Sequence, residues 1–259
     1  MIFSIATNHE ELTLDIKLYT FEPAEMRVIV ADANQQNTVF TDRTMKISGD
    51  GFLQVMMPVS PKNALVYIYN QKNGNLEAGK DKSFEVDSIK KNHLDKKLSV
   101  VDLGNSDIRS FINFATRFCY NAGTLHTGTY VSDDGRFKIT LLPIIEDGSG
   151  EHTTPARIDI DTSEIEVSQK QFNALTVPRR MAILCHEFSH VYLNKDIHDE
   201  IEADLNGLLI YLGLGYPRIE AFEVFANAFL KVPSELNQQR YKTIINFIDD
   251  FEKNKIFMR

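Results

Sequence analysis

The hydrophobic rhythm of the chain changes after its first third. Through residue 97, apolar positions come in short runs of period two or in brief continuous stretches: Leu12–Tyr19, Met26–Val30, Phe52–Val59 and Leu65–Tyr69. Alternation puts every second side chain on one face of a strand. Turn-forming pieces separate these runs, among them Asp32-Ala33-Asn34, Ser48-Gly49-Asp50-Gly51 and residues 70–75. Strands at such spacing, with no long helical stretch, predict a small all-β, sandwich-like or barrel-like domain over residues 1–97. Its last piece, Asp87–Lys97, carries six charges in eleven residues and reads as a solvated linker or a closing turn.

From residue 98 to 259 the period lengthens. Ile108, Phe111, Phe114, Ala115, Phe118 and Cys119 recur at helical spacing within 107–121, and Ser106 or Asp107 is placed to cap that helix. Strands are predicted at Phe137–Ile145 and, as a hairpin bending near Asp161-Thr162-Ser163, over Arg157–Val167. Beyond Pro178 the pattern is helical: 178–194, a second helix from Asp196 or His198 to Leu212, then 217–230 and 233–253. Proline stands at or near the first turn of three of these, where its missing N–H costs nothing. Phe222, Phe225 and Phe229 read as core packing. The expected fold class is therefore α+β, with an all-β domain ahead of a mixed one.

Composition narrows the functional classes. The 259 residues are 43% hydrophobic and 25% charged, which argues against a disordered, collagen-like or disulfide-stapled chain. Net charge is −8, with 36 acidic against 28 basic side chains, and most of the excess falls after residue 97. Duplex nucleic acid and anionic membrane surfaces are poor partners for such a chain. No uninterrupted apolar run is long enough to span a bilayer, and the opening Met1–Glu11 lacks a secretory pattern, so a cytoplasmic location is expected. Cys119 and Cys185 sit among apolar or aromatic neighbours and read as buried, reduced thiols.

The chemistry concentrates at His186-Glu187-Phe188-Ser189-His190. Residues four apart share one helical face, so both imidazoles can meet one ion. The glutamate between them points near the open coordination position, where it can take a proton from water. A catalytic zinc normally has three protein ligands. Ten residues after His190, Glu200-Ile201-Glu202-Ala203-Asp204 again places Glu200 and Asp204 four apart on one face. A short turn at 194–197 folds that helix back on the first and brings Glu200 beside His190. Glu200 is the expected third ligand, and Asp204, one turn deeper, is placed to accept a hydrogen bond from a ligating imidazole. Competitors for the third position are His198, Glu202 and Asp199. Two imidazoles and one carboxylate suit one Zn2+ per chain.

In these residues the chain resembles the gluzincin class of zinc metallopeptidases, whose families pair His-Glu-x-x-His with a Glu-x-x-Ala-Asp or Glu-x-Glu-Ala-Asp/Asn helix. The likeness covers residues 105 to about 230 and extends to proteins of bacteria and their phages. It departs in a short gap between His190 and Glu200 and in Ser189, where many relatives carry Gly. The resemblance implies a zincin-like domain with His186, His190 and Glu200 as ligands, Glu187 as general base and Asp204 behind them. It also implies hydrolysis of a peptide or protein substrate laid along a sheet edge, for which Arg157–Val167 is the candidate. Tyr192, His198, Tyr216 and Arg218 have the chemistry to stabilise an oxyanion. The alternative is a structural or assembly protein, such as a phage particle component, that keeps the fold and a structural metal and docks through its N-terminal domain. An intact Glu187 favours the enzyme.

Overall fold

A computed structural model describes residues 1–74, 81–97, 105–146, 154–231 and 233–253. The chain divides into two compact units, Met1–Asp95 and Lys96–Arg259, where the sequence places the junction after Lys97. Together they make a mixed α+β protein.

The N-terminal unit is one five-stranded antiparallel sheet: β1 (Ile2–Ala6), β2 (Leu12–Asp32), β3 (Val39–Met57), β4 (Asn63–Asn70) and β5 (Phe84–His93). Strand β2 is its spine. It pairs with β3 along nearly its whole length, while its other side takes β5 over Leu12–Thr20 and β4 over Met26–Asp32. Leu12, Leu14, Ile16 and Leu18 of its first half and Met26, Val28 and Val30 of its second are all buried. The register shift between Thr20 and Ala24 interrupts the pairing and lets the long strand bend.

Three expectations change here. The runs 12–19 and 26–30 are one strand, which passes through Pro23 in the gap in pairing, where no ladder N–H is required. The turn expected at 48–51 lies inside β3, where Gly49 adopts φ +81°. The charged segment from Asp87 is not a linker as far as His93: it is strand β5, lying beside β2. Its lysines suit an edge, where charge discourages pairing with another chain.

The second unit orders its elements as α1 (Ser106–Asn121), β6 (Gly128–Val131), β7 (Lys138–Leu142), β8 (Ala156–Ile158), β9 (Ile165–Ser168), α2 (Gln169–Asn173), α3 (Val177–Tyr192), α4 (Glu200–Gly213), α5 (Arg218–Lys231) and α6 (Glu235–Glu252). The expected hairpin at 157–167 is β8 and β9, while β6 and α2 have no counterpart in the sequence reading. The sheet runs β6-β7-β9-β8, with β7 and β9 parallel and the outer pairs antiparallel, so β8 ends it among the described strands.

Helix α3 is buried on nearly every side. Phe188 stacks on Phe111 of α1 at 4.0 Å and on Tyr192 at 4.7 Å, with Phe137 edge-on. Arg180, fully buried, donates to the carbonyls of Cys119 and Phe172, each at 2.9 Å. These lie near the C-terminal ends of α1 and α2, where the helix dipole favours a cation. Cys119 and Cys185 are buried free thiols, and burial pushes both well above the ordinary thiol range. Among the described residues, no helix is long and apolar enough to cross a membrane.

Candidate metal centre

Two caps fix the helices that carry the site. Thr176 caps α3, accepting from Arg179 N at 3.4 Å, while its hydroxyl donates to the buried Glu220 of α5 at 3.0 Å. Asp199 caps α4, accepting from Ile201 N at 2.9 Å and Glu202 N at 3.0 Å, so that Glu200 opens the helix. The turn between them is tied by Asn194 N to Ser189 O at 2.9 Å and by Lys195 N to Glu202 Oε2 at 2.9 Å. Glu202 and Asp199 are thus spent on the turn and the cap. Gly207 lets α4 approach α3 closely, for a Cβ there would stand 2.9 Å from His186 N.

This packing brings three donors together. His186 Nε2 lies 3.2 Å from His190 Nε2 and 3.5 Å from Glu200 Oε2, and His190 Nε2 lies 3.8 Å from Glu200 Oε1. Donors bound tetrahedrally to one zinc at about 2.0–2.1 Å are separated by about 3.4 Å. The spacing of the three side chains fits that ion. His198, the competitor, is exposed beside the cleft and stands outside the cluster of His186, His190 and Glu200.

The outer ring nitrogens say which way the inner ones face. His190 Nδ1 lies 2.8 Å from the carbonyl of Ile197, which can only accept, so that nitrogen carries the proton and Nε2 is bare. His186 Nδ1 sits 3.0 Å from Asp204 Oδ1, within reach though poorly aligned for a hydrogen bond, and the carboxylate favours a proton there too. Two bare nitrogens then oppose each other at 3.2 Å, beside a carboxylate, which is a setting for a cation. Burial works against a charged His186 ring, but Asp204, Glu187 and Glu200 outweigh it and hold its pKa above the ordinary value. Burial and the neighbouring His186 push His190 the other way.

Glu187 is buried, and burial, helped by the charge of Glu200, pushes its pKa up to about 7. Its Oε2 accepts from Ile158 N at 2.9 Å. Asp159 N bonds Glu164 O and Ser168 N bonds Pro155 O across to β9. By alternation, Ala156 and Ile158 turn their backbone groups away from β9, toward the open edge. Glu187 thus takes one N–H of that edge, and Ala156 beside it is fully buried.

A cleft of about 840 Å³ runs between β8, α3, α5 and α6, and His186, Glu187, His190 and Glu200 line it. Three arginines line it as well, and each is paired: Arg157 with Glu166 at 2.7 Å, Arg179 with Glu220 at 2.6 Å, and Arg240 with Asp204 at 2.7 Å. Much of the remaining wall is apolar, including Ile183, Leu175, Val224 and Phe225. Phe225, expected to serve only as core, lies 6.1 Å from the His186 ring.

Sequence reasoning missed Arg240. Its Nε and Nη2 clasp both oxygens of Asp204 at 2.7 and 2.9 Å, and its Nη1 lies 3.0 Å from Glu200 Oε2. No local spacing relates position 240 to position 204; a buried acid in need of a counter-charge was the one available hint. Burial raises the Asp204 pKa, but His186 and Arg240 outweigh it and hold that carboxyl below the usual range. Three of the oxyanion candidates, Tyr192, Tyr216 and Arg218, do not line the cleft. Tyr192 stacks on Phe188, Tyr216 stacks on Tyr211 at 5.0 Å, and Arg218 pairs with Glu252 at 3.1 Å.

Comparison of the chain with protein-family models, with curated proteins and with solved structures gives no match.

Proposed function

We propose that the second unit is a zincin-like, zinc-dependent hydrolase of peptide bonds. The observation that carries this reading is the convergence of two bare imidazole nitrogens and the Glu200 carboxylate, with the buried acid Glu187 beside them on the same helix turn. A purely structural zinc has four protein ligands and no use for an adjacent glutamate. When bound, the zinc supplies a Lewis acid that polarises the scissile carbonyl and makes a water easier to deprotonate.

The chain's own groups do the rest. Glu187, with its pKa raised to about 7, takes the proton from the attacking water and returns it to the departing amine. Ile158 N–H holds one oxygen of that acid, leaving the other for the proton. The cleft gives the side chains of a bound peptide a largely apolar, charge-balanced wall. The fixed positive end of α4 steadies the Glu200 carboxylate.

The test is Glu187→Gln. Zinc content stays at one per chain while cleavage of an unfolded polypeptide falls by about 10²–10⁴-fold. Turnover equal to wild type removes Glu187 from the mechanism.

A second reading concerns assembly. Tyr19, Phe21 and Phe52 of the N-terminal unit are exposed, the last two at 57%, and the rings of Tyr19 and Phe21 touch at 5.5 Å. Such a cluster favours a docking role for that unit. A stable large complex without cleavage is the outcome that selects a structural protein over the enzyme.

A further inference from the structure

We propose that Arg240 is a positioning residue of the metal centre: it grips one oxygen of Glu200 and both of Asp204, and thereby sets the affinity for zinc. This rests on the metal reading above and adds α6 to the elements that build the site.

The contacts divide the work. Glu200 Oε2, 3.5 Å from His186 Nε2, is held at 3.0 Å by Arg240 Nη1, while Oε1 faces His190 Nε2 at 3.8 Å. A carboxylate gripped at one oxygen offers the other in a single orientation. This matters for Glu200, whose side chain is 39% exposed and stands at the first residue of its helix. The same guanidinium is bidentate on Asp204, the neighbour of His186 Nδ1. One planar group therefore orients the third ligand directly and one imidazole through an intermediary. The ring of Phe229, 4.8 Å from the guanidinium carbon, supports it from α5.

Docking of α6 does not by itself call for this arrangement. Ile244, Ile248 and Phe251 already bury an apolar stripe of that helix. Taking a guanidinium out of water is costly unless its donors find matched acceptors, and here three of them do. Arg240 also answers a charge problem, since Glu187, Glu200 and Asp204 gather three acids around two imidazoles. A lysine substitutes only in part, because a point ammonium does not span two carboxylates as a planar fork does.

The experiment measures the zinc dissociation constant by chelator competition, with the melting temperature of the metal-free protein in parallel. The proteins are wild type, Arg240→Gln, Arg240→Lys, Asp204→Asn and the Asp204→Asn/Arg240→Gln double variant. Arg240→Gln weakens zinc by about 10–100-fold, the range for a lost partner of a ligand. Arg240→Lys restores part of this and keeps stem and charge where the Gln variant does not fold. In the Asp204→Asn background Arg240→Gln still weakens zinc, because the Glu200 contact remains. Unchanged affinity with a lowered melting temperature would reduce Arg240 to a structural brace and overturn the inference alone. Loss of its effect in the Asp204→Asn background overturns the direct hold on Glu200. A wild type that takes up no zinc overturns this inference and the metal reading together.

Discussion

Gly207 of α4 and His186 of α3 meet backbone to side-chain position: a methyl group added at Gly207 would lie 2.9 Å from the His186 nitrogen and 3.0 Å from the Cys185 carbonyl. Both neighbours are backbone and cannot swing away. The closest approach of the two helices thus falls one turn from Asp204 and two from Glu200.

Gly207→Ala accordingly pushes α4 off α3. Overpacking of this kind costs about 1–3 kcal/mol. We expect a lower melting temperature together with weaker zinc binding, because Glu200 and Asp204 ride on the displaced helix. A variant that binds zinc as tightly as wild type shows that the close approach is not what sets the ligand geometry.

The Glu187 carboxyl gives the metal-free protein a pH signature. Its pKa in the fold, about 7, is raised above its unfolded value by burial. A raised pKa means that the folded state holds the proton more tightly than the unfolded chain does. The associated stability is fully present below the unfolded value and drains away as pH rises through about 7. Denaturant titrations of metal-free protein between those limits test this: Glu187→Gln flattens the decline relative to wild type. Parallel slopes for the two proteins contradict a raised carboxyl.

Val224 offers a test of the cleft. It is partly exposed and lines the cavity with Ile183, Leu175 and Phe225, while the arginines there already have acidic partners. An apolar side chain entering that wall gains about 1–3 kcal/mol over one that fits less well. Val224→Asp lowers kcat/KM for peptides with large apolar residues about tenfold or more. Zinc content stays unchanged, since Val224 is not one of the donors His186, His190 and Glu200. A uniform drop across apolar and charged peptides points to a folding defect instead.

Arg180 makes the clearest stability prediction. Replacing it with Met removes the donors to Cys119 O and Phe172 O; Phe172 O keeps Leu175 N at 3.0 Å, whereas Cys119 O loses the Arg180 donor in the core. Each unsatisfied buried group costs about 1–3 kcal/mol. We expect unfolding midpoints to fall by an amount matching about 1–3 kcal/mol, as read by chemical denaturation. A loss below that of an ordinary surface substitution means that water reaches the Cys119 carbonyl.

The helices of the second unit were legible because their cues are local. Proline near the N-termini, apolar positions at helical spacing and the acidic start of α4 place the predicted helices within a few residues of the observed ones. The pairing of His186 with His190, and of Glu200 with Asp204, follows from a four-residue step on a helix. The N-terminal sheet was harder to read. A 21-residue strand that passes through Pro23 looks like two strands, because the ladder that accommodates the proline is supplied by β3, β4 and β5. The charges of β5 looked like a linker for a related reason: an edge strand keeps its charges in water, and alternation alone cannot reveal its partner.

What the sequence determined by itself was the inventory: two imidazoles one helical turn apart with an acid between them, and a second acidic helix close behind. Only the tertiary structure decided which acids are spent on the turn and cap, as Glu202 and Asp199 are, and which reach the imidazoles, as Glu200 and Asp204 do. It alone brought Arg240 across from a distant helix and turned Ile158 N–H onto Glu187. The reason is range. Helical spacing is written into consecutive residues, whereas a counter-charge for a buried acid can come from any part of the chain that packing brings near.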